Sequence, residues 1–592
     1  MSPGERIRDA LARLGPDLAA CAGLALAALA LSWRIVAAPR LVEGRVSTGA
    51  WDGPILGVFL LISVLTYLFA RQALGARFPA LVAALTFTGG GYLASYPALD
   101  RSILGTVAGL PLILGAVELG ARRGWLWFIA AGAVWGLAVS LGDPQTALYV
   151  GYLALAYGAF QTWQRKAIWW RGLGRLALAL AVGLLVAGAM WLLGWGGAHP
   201  ALRTAEGYQQ ASGDLAPRAL LQLILPSALG PLSPLYVGIL PLLLALAGLL
   251  IGVGWEARFW GAAALIALLL ALGGKAALYP LAYLAAPGFG SFHSQERAAL
   301  VASFALALLA GHGAQALSRS LSPSSMGRLR GLARWAGLLG LGMLTLTAVL
   351  PVGGAVQGLL LLGGVGLLTL RLGRGANRRQ AMPGQAVTGP LAHTRGFRRR
   401  SAQRWLQRGV FAPFRRRGRR LVAEEGRRAW LWWGLAVALI LADLGLARWG
   451  SSLHYGPRAD LGGQVAFLGY ELEAPQVEPR GTVKLTLYWQ ALSPTEVDYT
   501  VFTHLLDAED RIRGQQDRMP MGGMRPTTTW LPGEIVVDLY TIPVAPDAPP
   551  GIYVIEVGMY DLATGARLPV LGPDGVRVPQ DRILLGMVDV GP

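Results

Sequence analysis

One cysteine, six histidines and 33 acidic residues in a chain of 592 leave little material for most soluble chemistry. With Cys21 alone, an intrachain disulfide and a cysteine-built metal site are both excluded. Charged residues make up 14% of the chain, against roughly 25% in soluble domains. What it has in excess is apolar surface: 54% hydrophobic residues and a mean hydropathy of +0.48. No water-soluble fold of this size has an interior for that much. A soluble enzyme, a disordered protein and a disulfide scaffold are therefore excluded together.

The net charge is +19 and the pI about 10.5. Such values suit a nucleic-acid binder only if the cations share a face. Here they do not. Residues 452–592 hold 10 Lys/Arg and 18 Asp/Glu, while the remainder holds 42 and 15. Residues 371–428 alone carry 17 arginines, with Glu424 and Glu425 as the acids. An apolar body, a basic linker and an acidic tail follow one another, and no nucleic-acid partner is expected.

The body reads as apolar runs near the ~20 residues that cross a bilayer as a helix. Twelve are expected near 16–37, 53–71, 78–97, 103–120, 124–141, 146–163, 174–195, 234–254, 258–273, 297–316, 333–351 and 355–371, with a thirteenth at 429–448. The domains are then a membrane body at 1–371, a basic linker at 372–428, a last span at 429–448 and a tail domain at 452–592. Loop arginines and lysines concentrate in 1–15, 72–77, 121–123, 164–173, 255–257, 317–332 and 372–428. Positive loops stay inside. The N-terminus is therefore cytoplasmic and the tail domain extracytoplasmic. In the linker, Trp405, Leu406, Val410, Phe411 and Phe414 lie among arginines, a mixture suited to a stop-transfer flank or to inner-leaflet lipid.

The tail changes period. Alternation at 482–490 and 551–560, with turn residues between runs, predicts strands near 464–472, 482–490, 499–506, 511–517, 534–541, 551–560, 566–570 and 583–589. Eight strands without a helical pattern read as a β-sandwich. His504 and Asp507 would face opposite sides of a strand, which argues against a catalytic pair. Trp489, Trp530, Tyr499 and Tyr540 suit either a sugar-stacking platform or, more commonly, a core.

Polar residues at membrane depth tend to mark function. Four outer segments hold them: 96–101, then Gly142–Thr146 with Tyr149, then 197–233 with Arg203 and Glu206, then 274–296 with Lys275, His293, Gln295 and Glu296, running into Arg297. Asp143 sits in a tight turn with Gln145 beside it. Asp443, in the last span, reads as a helix-end residue. Arginine or lysine suits a phosphate, and acids and amides suit sugar hydroxyls.

The order of motifs resembles YfhO-like bacterial membrane proteins of the GT-C glycosyltransferase superfamily. The resemblance is carried by Tyr67–Pro97, Gly142–Tyr149 (GDPQTALY), Leu220–Leu246 and Pro287–Leu317 (PGFGSFHSQERAALVASFALALLAGHGAQAL). In the tail it is carried by Leu487–Trp489, Val501–Asp507 (VFTHLLD), Trp530–Gly533 and Gly551–Asp561 (GIYVIEVGMYD). It implies a helical GT-C-like fold, and a sugar moved from a polyprenyl-phosphate carrier to an outer-face glycan or lipid acceptor. It also implies a divalent metal ion, Mg or Mn. The family's long first outer loop, with its catalytic acid, has no counterpart here. The short loop offers Glu43 and Asp52. Asp143 and Asp52 are then the candidate acids. Gln145, Tyr149, Arg203, Glu206, Lys275, His293, Glu296 and Arg297 are the candidate binding residues. Three functions compete: glycosyl transfer, non-catalytic binding of lipid-linked sugar as an accessory subunit, and lipid or glycan transport. No inverted repeat supports the last.

Overall fold

A computed structural model of the chain describes residues 3–36, 40–42, 45–47, 53–93, 95, 101–166, 168–193, 215, 217–226, 234–252, 254–292, 295–319, 321–349, 355–380, 434–446, 453–474, 476–478, 480–531, 534–572 and 576–591. The body is helical: α1 (Pro3–Val36), α2 (Gly53–Leu74), α3 (Arg77–Gly89), α4 (Arg101–Arg123), α5 (Leu126–Leu141), α6 (Pro144–Gln164) and α7 (Trp169–Leu192). It continues with α8 (Ile239–Ile251), α9 (Trp255–Ala271), the short α10 (Leu278–Ala285), α11 (Ala299–Ser318), α12 (Pro323–Val349), α13 (Ala355–Gln380) and α14 (Gly434–Leu446). The described residues of each of the thirteen apolar runs include a helix. Four described stretches are long and apolar enough to cross a membrane: Leu56–Leu74, Ile103–Arg123, Trp169–Leu192 and Gln295–Ser318.

Helix α11 is the hub. It is buried along almost its whole length and packs against α3, α8 and α9. Its approach to α8 is set by glycine. A Cβ on Gly313 would overlap the Leu244 carbonyl, and one on Gly248 would lie 2.6 Å from the Leu309 carbonyl oxygen. Small residues let helix backbones meet where lipid gives no hydrophobic drive. Phe69, Phe87, Tyr157, Trp260 and Phe304 form one aromatic cluster where α2, α3, α6 and α9 meet α11.

The helix ends sort into two sets. At one, Arg122 Nη2 donates to the Gln72 carbonyl at 3.2 Å, Gln315 donates to the Leu74 carbonyl, and Gln164 donates to Glu256 at 3.3 Å. The ends of α2, α4, α6 and α11 and the start of α9 thus lie together. At the other, the starts of α6, α8 and α11 meet the α5–α6 turn and α14.

The tail is a two-sheet β domain. Its strands are β3 (Leu453–Leu461), β4 (Val465–Leu472), β5 (Gln476–Val477), β6 (Thr482–Ala491), β7 (Tyr499–Leu506) and β8 (Ile512–Gln515), then β9 (Ile535–Pro543), β10 (Gly551–Asp561), β11 (Val570–Leu571) and β12 (Ile583–Val590). One sheet has the order β11-β3-β4-β6-β9. The other runs β12-β10-β7-β8, with β5 beside β12. A single core holds Phe467, Leu487 and Trp489 from one sheet and Val501, Ile555 and Val588 from the other. All eight expected strand regions carry strand pairing, 566–570 only as its last residue and an isolated bridge at Arg567; β3 and β5 were not expected. A hairpin, β1 (Arg40–Val42) and β2 (Arg45–Ser47), comes from the short loop after α1. Here β2 pairs in parallel with β12, Arg45 opposite Leu584. The first loop therefore extends the tail's sheet.

Candidate functional site

The Gly142-Asp143-Pro144 turn opens α6. Pro144 cannot donate an N–H and occupies the first helical turn, where none is needed. Asp143 is the N-cap, and its Oδ2 accepts from the Thr146 N–H at 2.7 Å. The Asp143 N–H donates to Thr106 Oγ1 at 2.9 Å, which joins the turn to α4. The other carboxylate oxygen, Oδ1, accepts from Arg297 Nη1. Both partners are nine-tenths buried.

Arg297 stands in the single turn Gln295–Ala298 that leads into α11. Beside it, Gln295 Oε1 accepts from the Tyr149 hydroxyl. Gln295 Nε2 donates to the Phe292 carbonyl at 2.8 Å and to Tyr279 Oη at 3.2 Å. The Tyr152 hydroxyl donates to the Pro287 carbonyl at 2.9 Å, and Phe289 packs edge-on to Tyr149 at 5.7 Å. The segments 142–152 and 279–297 are thereby stitched into one polar end.

Of the expected residues, Asp143, Gln145, Tyr149, Glu296 and Arg297 come together here. Gln145 Nε2 is buried with no hydrogen-bond partner among the described residues. Glu296 is only half-buried and adjoins the pair in sequence. Lys275 lies on an exposed turn after α9. Asp52, Arg203, Glu206 and His293 lie outside the described residues. Asp143 does not present a free carboxylate: one oxygen caps a helix and the other neutralises a guanidinium. Among the described residues no three His, Cys, Asp or Glu gather as a metal site. The donor set that the implied divalent ion would need is not formed by them.

Asp443 is more than a helix-end residue. It accepts from the Tyr236 hydroxyl and, at 2.5 Å, from the Ile239 N–H. It thus caps α8 from a different helix, and Gly238 (φ 96°) makes the turn that presents those N–H groups.

At the opposite end lies a carboxylate the sequence reading passed over. Glu118 is 1% exposed. It accepts from Arg122 Nε at 2.6 Å, Arg165 Nη2 at 3.1 Å, the Tyr157 hydroxyl at 2.8 Å and the Gln161 amide. Nearby in the same set of ends, Asp17 joins Tyr67, Arg71 and Arg77.

In the β domain, His504 faces away from the core that Val501 and Leu505 enter. Its partners are not Asp507. Nδ1 pairs with Glu556 at 2.9 Å and Nε2 with Asp517 at 3.2 Å. Burial pulls its pKa down, but the two carboxylates outweigh burial and hold it up at about 9. Arg567 stacks over Phe502 at 4.2 Å and reaches Glu556 at 3.1 Å. Asp507 binds Arg513 at 2.9 Å instead. Trp489, Trp530, Tyr499 and Tyr540 are all buried in the core, so the sugar-stacking platform is not formed by them.

Fold and site define a helical protein with membrane-type apolar helices, a buried polar end and an appended two-sheet β domain. No protein-family model matches the chain, and no curated protein matches it significantly.

Proposed function

We propose that the protein is a multi-pass protein of the bacterial plasma membrane that engages a polyprenyl-phosphate-linked sugar at the Asp143–Arg297 end. In this reading thirteen helices cross the bilayer, the N-terminus is cytoplasmic and the β domain is extracytoplasmic. The arginine-rich helix ends around Glu118 support that orientation, because positive loops stay inside. The YfhO-like, GT-C resemblance supplies the donor class. Two of the segments that carry it, 142–149 and 287–317, meet through Asp143 and Arg297.

That pair carries the functional choice. A general base needs an oxygen within reach of the acceptor hydroxyl, and both Asp143 oxygens are taken. This favours capture of the lipid-linked sugar over transfer by Asp143. Glu296 supports the second reading, transfer to an envelope glycan or lipid, because it is a partly exposed acid in the same turn. The test is the purified full-length chain in lipid with a fluorescent polyprenyl-phosphate hexose. Binding without turnover supports capture. Turnover abolished in Glu296→Gln, with binding kept, supports transfer. Failure to bind that donor overturns both.

A further inference from the structure

The turn between α6 and α7 forms a pocket that the sugar-handling reading does not use. Its volume is ≈ 470 Å³, and its walls include Thr162, Trp163, Lys166, Trp169 and Leu173. The floor is Gly172, seated so closely on Thr162 that a Cβ would overlap it. Lys166 stands at φ 50°, a left-handed backbone that glycine adopts at least cost. A lysine is held there at the expense of backbone strain.

The charge around it is one-sided. Of the two nearby acids, Glu118 is occupied by Arg122 and Arg165, and Glu256 accepts from Gln164. Among the described residues no carboxylate pairs with Lys166, Arg171 or Arg175. The indoles of Trp163, Trp169, Trp170 and Trp255 are 53–66% exposed at the ends of α6, α7 and α9. Exposed tryptophans at helix ends beside arginines mark the headgroup level of a bilayer. Leu173 and Leu176 continue the pocket wall along α7, in the direction an acyl chain would run.

We propose that this pocket binds the headgroup of an anionic phospholipid, with its phosphate on Lys166 and its glycerol region between Trp163 and Trp169. Arg171 and Arg175 add to the field. The ligand's phosphate chemistry comes from the cations, and its lipid nature from the indoles and the apolar wall. The site is independent of the Asp143 end and stands whether or not the chain handles a sugar.

Native mass spectrometry of the full-length protein, exchanged into detergent with equal phosphatidylglycerol and phosphatidylcholine, tests it. The wild type should retain phosphatidylglycerol preferentially. Lys166→Gly keeps the turn conformation and removes the cation, and should lower that retention roughly fivefold. Lys166→Arg should keep it, and Trp169→Ala should weaken it. Equal retention of the two lipids by the wild type overturns the proposal. So does wild-type retention in Lys166→Gly, because the left-handed turn would then be the residue's whole role. Displacement of the lipid by millimolar inorganic phosphate also overturns it, by making soluble phosphate the ligand.

Discussion

Arg297 reaches across 154 positions of the chain to donate a hydrogen bond to Asp143. The pair joins the start of α6 to the start of α11, the most buried helix of the body. It is also where two segments rich in polar residues, 142–149 and 295–297, meet. Each charge of the pair faces the other, in a turn that also holds Glu296.

That arrangement predicts strong non-additivity. Asp143→Asn keeps an acceptor for the Thr146 N–H but takes from the buried guanidinium the carboxylate it donates to, a loss of about 3–5 kcal/mol. Arg297→Met should cost a similar amount by stranding the carboxylate. The double variant should recover most of either loss, since a neutral amide and an apolar chain replace two charges. Unfolding midpoints in detergent for the four proteins measure this. Additive losses would mean that the two side chains do not act as a pair.

Asp443 gives a second, smaller expectation. Its carboxylate caps α8 at Ile239 and holds the Tyr236 hydroxyl. Asp443→Ala should cost about 1–2 kcal/mol, as loss of a helix cap does. Hydrogen exchange followed by mass spectrometry should show faster exchange in the first turn of α8 and in α14. Tyr236→Phe should show a weaker version confined to the same two places. Unchanged exchange at α8 in Asp443→Ala would remove the capping role.

The helices were legible because apolar runs near bilayer length are separated by turns rich in arginine, glycine and proline. The strands of the tail were legible by alternation, with instructive exceptions. β3 is broken by Gly456-Pro457, and its pairing with β4 shifts register between Tyr455 and Ala459, so no clean period shows. The β1–β2 hairpin was invisible because its meaning lies in pairing with β12, more than 500 residues away. At the candidate site, residue type in short apolar-flanked turns picked out Asp143 and Arg297, but nothing in their local context says that they touch. Glu118 was missed because it lies inside an apolar run. The available signal was its i,i+4 spacing to Arg122, the helix-face arrangement for an ion pair.

Gly313 should tolerate no side chain. A Cβ there meets the Leu244 carbonyl, a backbone atom that cannot swing aside. Gly313→Val should force α8 and α11 apart and cost on the order of 3 kcal/mol or more. Gly342→Val, on an exposed face of α12 where a Cβ meets open space, is the matched control. Thermal unfolding of the two variants in the same detergent compares them. Equal midpoints would show that the α8–α11 approach is looser than its glycines imply.

His504 makes the β domain sensitive to pH in a direction that the geometry fixes. An ordinary histidine titrates near 6.5, and the carboxylates of Glu556 and Asp517 hold this one at about 9. Below pH 6.5, down to where acid protonates the carboxylates, His504 is protonated in the folded and the unfolded chain alike, and the ion pairs contribute in full. Between 6.5 and 9 the unfolded chain releases its proton while the folded one keeps it, so stability falls. Above 9 the contribution is gone. The difference corresponds to on the order of 3 kcal/mol. Glu556 works in the opposite sense: burial pushes its pKa up, but His504 and Arg567 hold it below 4.5, so its share is lost as acid protonates it. Exchange of the β7 and β10 amides, corrected for the intrinsic pH dependence, should therefore accelerate from pH 6.5 to 9 in the wild type. His504→Gln removes the titrating group and should exchange faster at pH 6.5 with no further loss up to 9. A wild-type profile as flat as that of the variant would mean that His504 is not held protonated by its two carboxylates.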